Sequence, residues 1–150
     1  MRIPGQPVAM GRPRVSRISY NVKLYTPPKS KTWMNDAAFL IKNTYKGKIL
    51  DGPIKIKSVF IHKRPKKLSR KKDPTERIHK TTKPDIDNLE KILFDALVYA
   101  EVMKDDSQIV HTISADYYCA KNEPPHVEFT LYHHENIPIQ KQQNQNPGPD

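Results

Sequence analysis

Between Lys83 and Gln108 the chain reads KPDIDNLEKILFDALVYAEVMKDDSQ, and seven carboxylates fall within it: Asp85, Asp87, Glu90, Asp95, Glu101, Asp105 and Asp106. Asp85 and Asp87 stand two residues apart, and Asp105 and Asp106 are neighbours near the far end of the stretch. A close pair of carboxylates joined by a third from a separate element makes an oxygen-rich site for a hard cation such as Mg²⁺. Such a site suits phosphodiester hydrolysis, in which divalent ions activate water and stabilise the leaving oxygen. Lys91, one turn beyond Asp87, can orient a phosphate or offset developing charge. A plainer reading stands beside this one: Asp85 caps a helix, Asp87 pairs with Lys91, and Asp105 and Asp106 make a turn. Spacing alone leaves both open.

The element that must carry these residues is a helix. From Asp87 onward the apolar residues Leu89, Ile92, Leu93, Ala96, Leu97 and Ala100 keep one helical face over more than three turns. Pro84 bars helix on its N-terminal side, which makes Asp85 the N-cap and puts Asp87 in the first turn, where the macrodipole favours negative charge. The pattern predicts an end near Glu101 to Lys104, with Lys104 to Ser107 as a turn into a strand beginning at Gln108. Asp95 lies two turns from Asp87, roughly 12 Å along the axis, too far to ligate the same ion.

The residues Lys83-Pro84-Asp85-Ile86-Asp87-Asn88-Leu89-Glu90-Lys91, then Asp95-Ala96-Leu97, then Lys104-Asp105-Asp106-Ser107-Gln108-Ile109, strongly resemble the motif of the RusA family of Holliday-junction endonucleases. Three short patterns recur at the right separations, which is far more specific than a lone DxD. The resemblance implies that Asp85, Asp87 and Asp106 are metal-binding catalytic carboxylates and that Lys91 is the catalytic lysine. It also implies Mg²⁺ (or Mn²⁺) as cofactor, a homodimer, and four-way junction DNA as substrate, resolved by paired symmetric nicks in recombination and repair. Asp105 is either a turn residue or shares the metal, and Asn88 supports the helix start. The Gly11-Arg12-Pro13-Arg14 and Tyr25-Thr26-Pro27-Pro28 stretches recur in the phage and prophage branch of that family. Two other classes stay open: a non-catalytic basic DNA-binding protein, and a nuclease preferring flap, fork or RNA substrates.

The charge balance agrees with a polyanionic partner. The chain of 150 residues has a formal net charge of +10. Residues 55 to 83 hold twelve Lys and Arg against Asp73 and Glu76, so this one segment accounts for the whole excess. Within it Lys63 to Lys83 is nearly free of apolar residues and reads as a mobile basic loop placed just before the acidic helix. Lys66, Lys67, Arg70, Lys71, Lys72 and Lys83, with Arg12, Arg14 and Lys29 from a proline-rich loop near the N-terminus, are candidate DNA contacts. A single cysteine, Cys119, excludes an intrachain disulfide and a cysteine-rich zinc module, and reads as a core or edge filler. No run of about twenty apolar residues and no signal-like start are present, so a cytoplasmic protein with no membrane partner and no small-molecule cofactor is expected.

The remaining elements follow from periodicity. Residues 1 to 8 form a weak edge strand broken by Pro4 and Pro7. Residues 11 to 29 read as an ordered loop. Thr32 to Tyr45 is helical, with Trp33 as a core anchor, and Gly47 stops it. Pro53 to His62 alternates as a strand, and so do Ile109 to Tyr118 and His126 to His134, the last two expected to pair antiparallel across a short turn. His62 and His79 have no ligand spacing, and the His133-His134 pair reads as surface. The order predicts one α/β domain of the α+β type over residues 1–134, a mixed sheet of about four strands with two main helices. A low-complexity tail, expected to be disordered, covers 135–150.

Overall fold

The computed structural model describes residues 1–18 and 20–133. The expected tail of residues 135–150 and the second histidine of the pair, His134, lie outside the described residues.

The mixed sheet has five strands in the order β1-β7-β4-β6-β5: β1 Arg2–Pro4, β4 Ile54–His62, β5 Ile78–His79, β6 Ile109–Tyr118 and β7 His126–His133. Two helices, α1 Pro28–Thr44 and α2 Ile86–Tyr99, complete the layer pair, and β2 Arg14–Ile18 with β3 Asn21–Tyr25 forms a separate antiparallel ribbon. The α+β class and the two main helices are as expected. The fifth strand, β5, is only two residues long, too short to leave an alternation in the sequence. Among the described residues no helix is long and apolar enough to cross a membrane.

β4 is the axis of the sheet. Its alternation of Ile54, Ile56, Ser58 and Phe60 buries one face completely. Those positions pack with Ile3, Val127 and Phe129 from neighbouring strands, with Leu89, Leu93, Ala96 and Leu97 of α2, and with Ala37, Ala38 and Ile41 of α1. Both helices therefore cover the face that carries Ile54 and Phe60. On the other face Lys57, Thr130 and Tyr132 are exposed, and Lys55 Nζ lies 5.6 Å from the centre of the Tyr132 ring.

Two expectations are corrected here. β6 and β7 do not pair with each other; β4 lies between them, parallel to β6 and antiparallel to β7. The short connection made a hairpin look natural, but β4 lies in the middle of the sheet with one face fully buried, and its backbone groups take a hydrogen-bonded neighbour on each side, which these two strands supply. Residues 11 to 29 are likewise not a plain loop. They contain the β2–β3 ribbon and the first residues of α1, which begins with Pro28 in its first turn, where a missing N–H costs nothing. The buried Ser30 hydroxyl donates to Ala9 O at 3.0 Å and accepts from Gly11 N at 2.9 Å, tying the approach to the ribbon onto this helix. Trp33 packs against the core from a partly buried position, as expected.

The basic segment 63–83, expected as a mobile loop, contains a 3₁₀ turn at Lys66–Leu68 and the strand β5, and it is wrapped round one buried guanidinium. Arg64, 9% exposed, donates to the carbonyls of Cys119, Leu68, Pro74 and Glu76. Lys121 Nζ adds bonds to Arg70 O at 3.0 Å and Asp73 O at 2.7 Å. A segment with little apolar surface to bury is thus organised by two cations, Arg64 within it and Lys121 from outside, that satisfy its carbonyls. Cys119 is buried, and that burial pushes its thiol pKa up, in keeping with an inert filler.

Candidate active site

The N-terminus of α2 presents the first pair of carboxylates. Asp85 occupies the N-cap position with an extended backbone, and its carbonyl accepts from Asn88 N at 3.2 Å and Leu89 N at 3.3 Å. Its side chain makes no capping bond. It turns outward instead, 2.7 Å from Lys83 Nζ, in an exposed ion pair that contributes little to stability. The plain capping reading of Asp85 thus holds for its backbone and fails for its carboxylate. Asp87 and Lys91 are exposed on the same side of the helix, one turn apart.

Behind this pair lies an open cleft of about 480 Å³ lined by Lys80, Thr82, Pro84, Asp85, Ser114 and Asp116. The other side of the helix start is held by Met10 N, which donates to Asn88 O at 3.1 Å. Asn88 therefore supports the helix start through its backbone. One turn into α2, Glu90 faces the sheet and accepts from Thr112 Oγ1 at 2.7 Å and from Ser114 Oγ, which is itself 2.8 Å from Ser58 Oγ. That carboxylate is committed to β6.

The C-terminal end is built differently. α2 stops at Tyr99, earlier than expected, and the chain turns out through Glu101 at φ 60°. Val102 and Met103 bury, and a 3₁₀ turn follows at Asp106–Gln108. Asp105 caps this turn, accepting from Ser107 N at 2.8 Å, while Gln108 Oε1 accepts from Asp105 N at 3.2 Å in a capping box. Bonds from Ser107 hold the Asp105 carboxyl below the usual range. Of the two roles left open for Asp105, these bonds belong to the turn.

Asp106 faces a hollow shared with Met34, Asp95, Val98, Tyr99, Glu101 and Asp105. Asp95, half-buried there, is pushed above the ordinary carboxylate range by burial first and then by the Asp106 charge, with Lys91 opposing. The expected trio thus divides within one chain. Asp85 and Asp87 stand at the start of α2, and Asp106 stands with Asp95 two turns along. Among the described residues no three His, Cys, Asp or Glu side chains converge on one point. The donor set is all carboxylate and suits a hard divalent cation chemically, in two halves.

The nine expected DNA contacts are all exposed, but not equally available. Arg70 donates to Asp73, 3.2 Å from Nε to Oδ2, and Lys83 pairs with Asp85. Lys66, Lys67, Lys71 and Lys72 lie exposed along the segment wrapped round Arg64, while Arg14 opens the β2–β3 ribbon with Arg12 just before it and Lys29 in the first turn of α1. Sequence reasoning missed Arg64, Lys80 and Asp116, which look like ordinary members of a charged run or strand. Only pairing across the fold separates them from their neighbours.

The profile of the family described as Endodeoxyribonuclease RusA matches residues 4–132. A Bacillus subtilis (strain 168) protein, described as uncharacterized protein YqaN, is 36% identical over 132 residues, covering 85% of this chain and 90% of that protein.

Proposed function

Since the chain belongs to the RusA endodeoxyribonuclease family, we propose that it resolves four-way DNA junctions by metal-dependent hydrolysis of a phosphodiester in each of two symmetric strands. The observation that carries this reading is the pair Asp85 and Asp87, exposed at the start of α2 with Lys91 one turn in. Asp85, Asp87 and Asp106 would hold Mg²⁺ or Mn²⁺, which supplies Lewis-acid stabilisation of the charge that builds on the reacting phosphate. Lys91 orients the scissile phosphate by its charge and reach. Lys66, Lys67, Lys71 and Lys72, with Arg12, Arg14 and Lys29, contact the phosphates of the arms, giving affinity without sequence readout.

Two copies of the chain are part of the reading. One copy keeps Asp106 apart from Asp85 and Asp87, so a second copy related by a two-fold axis would supply the third carboxylate to each site. The outer edge of β6 favours this. β5 pairs with β6 only at Tyr117 and Tyr118, towards the end of that strand. Val110 and Ile113 stand 59% and 45% exposed along it.

The test is cleavage of a synthetic four-way junction beside linear duplex and flap DNA, with and without Mg²⁺, for the wild type and Asp87→Asn. The expected result is paired nicks near the crossover in Mg²⁺ alone. Asp87→Asn should lose on the order of 10²–10³-fold in rate and bind the junction normally in chelator. Binding without cutting under either metal would leave a non-catalytic DNA-binding protein.

A further inference from the structure

Directly beneath Asp85 lies a buried charged chain that the proposed chemistry does not use. The Lys80 side chain is 4% exposed, and Asp116 is 10% exposed. Lys80 Nζ is 3.5 Å from Asp116 Oδ2 and donates to Thr82 O at 2.5 Å and to Pro84 O at 3.3 Å. On the other side of Asp116, Oδ1 faces His62 Nε2 at 2.7 Å; those two buried atoms have no other partner among the described residues. His62 Nδ1 continues to Gln6 Nε2 at 3.3 Å, and Gln6 Oε1 accepts from Lys63 N at 2.8 Å. Backbone and side chain agree on the direction of the restraint, because Lys80 N also donates to Asp116 O at 3.1 Å and Thr82 Oγ1 lies 2.8 Å from Tyr118 OH.

We infer that Lys80, anchored by Asp116 and His62, is a positioning residue that fixes the Asp85 and Asp87 carboxylates by holding the Thr82 and Pro84 carbonyls. The inference rests on the reading of Asp85 and Asp87 as the functional pair. A buried ion pair is weak evidence for stability, since well-packed apolar side chains serve as well or better. What an apolar substitute does not supply is a donor for two carbonyls in the residues immediately before Asp85. Pro84 O belongs to the peptide that enters Asp85, so the ammonium sets the backbone from which that carboxylate projects. The helix start then carries the setting to Asp87 through the bonds from Asn88 N and Leu89 N to Asp85 O. Site carboxylates must be held within about 0.5 Å of their working geometry, and exposed side chains at a helix start have little packing of their own to hold them.

The test compares the full chain with Lys80→Met, Lys80→Arg and the paired variant Lys80→Met/Asp116→Leu, which replaces the ion pair by apolar side chains. Amide hydrogen exchange over residues 81–89, junction affinity in chelator, and kcat and KM for cleavage in Mg²⁺ are measured on each. Lys80→Met is expected to speed exchange over 81–89 at least tenfold while β4 amides keep their protection. Its kcat should fall about 10- to 100-fold with KM and chelator affinity within twofold of wild type. Lys80→Arg should recover part of both, and the paired variant, which also leaves His62 Nε2 without its partner, should not regain kcat. The idea is overturned if exchange over 81–89 is unchanged, if β4 amides lose protection to the same extent, or if the paired variant restores cutting. Should the wild type cut no junction, the function proposed above fails on its own, and the exchange comparison still decides whether Lys80 holds the Asp85 segment.

Discussion

The two ends of α2 each offer a pair of carboxylates, and they are held by opposite means. At the N-terminal end the chain around Asp85 is gripped from outside the helix. Lys80 holds the carbonyls before it and Met10 N holds Asn88 O behind it, while both carboxylates point free of the backbone. At the C-terminal end the turn grips itself. Asp105 caps it, and Gln108 ties it by Nε2 to Leu50 O and Gly52 O, each at 3.0 Å. One of the two adjacent acids is thereby committed to structure and the other, Asp106, is left to face Asp95. Proximity in sequence says nothing about which neighbour keeps its charge for chemistry. The partner of each backbone N–H does.

The sharpest way to break the comparison is complementation. Asp106→Asn alone is expected to lose on the order of 10²–10³-fold in junction cleavage, like a change at Asp87. If each site draws Asp87 from one copy and Asp106 from another, mixing the Asp87→Asn and Asp106→Asn proteins rebuilds one intact site per mixed dimer. Single-strand nicking should then return without paired resolution, as read on a denaturing gel beside a native one. No recovery on mixing would place all three carboxylates in one subunit.

A smaller effect separates Asp95 from Asp106. The Asp95 carboxyl is raised in the folded protein, so its ionisation works against folding. That penalty is complete above the raised native value and fades as pH falls through it toward the ordinary carboxylate value. Asp95→Asn should therefore raise Tm at neutral pH, and the gain should shrink as pH falls and be lost below about pH 3, where both states are largely protonated. A gain that is flat in pH would mean that Asp106 and burial do not act on Asp95 as the geometry requires.

The smallest expected effect is at Asp105. Asp105→Ala should lower Tm slightly through the lost cap and change cleavage less than threefold. A loss comparable to that of Asp106→Asn would return Asp105 to the metal site.

The helix, its start and its polar face were legible because Pro84 and a six-member apolar stripe leave little choice about where α2 begins and which side is buried. The strand β4 was legible for the same reason, with period two. The order of strands was not, because a short link between β6 and β7 fits a hairpin as well as it fits two flanks of β4. The ribbon was hidden by its prolines and bases, although Val15 and Leu24, paired in register, keep the alternation. Within the site, residue types identified the carboxylates but not their grouping. Asp106 and Asp95 are eleven residues apart in sequence and meet only because Glu101 takes a left-handed backbone and folds the chain back. Arg64 and Lys80 carry the same signal as the lysines around them, since a composition count does not see which cation has carbonyls to hold.

The parallel pairing of β4 with β6 also sets the order in which the protein can be made. Ile56 pairs with Thr112 and His62 with Tyr118, so from Lys55 on each rung joins residues fifty-six apart in sequence. All of the basic segment and α2 lie in the loop between them. Closing such a loop is entropically slow before its contacts begin to repay it. On the ribosome the acidic helix emerges before β6, and β4 waits without its inner neighbour until Tyr118 is clear. Truncation before β6 should therefore yield an aggregation-prone chain rather than a small nuclease, since it removes β6 and β7 and leaves both edges of β4 open.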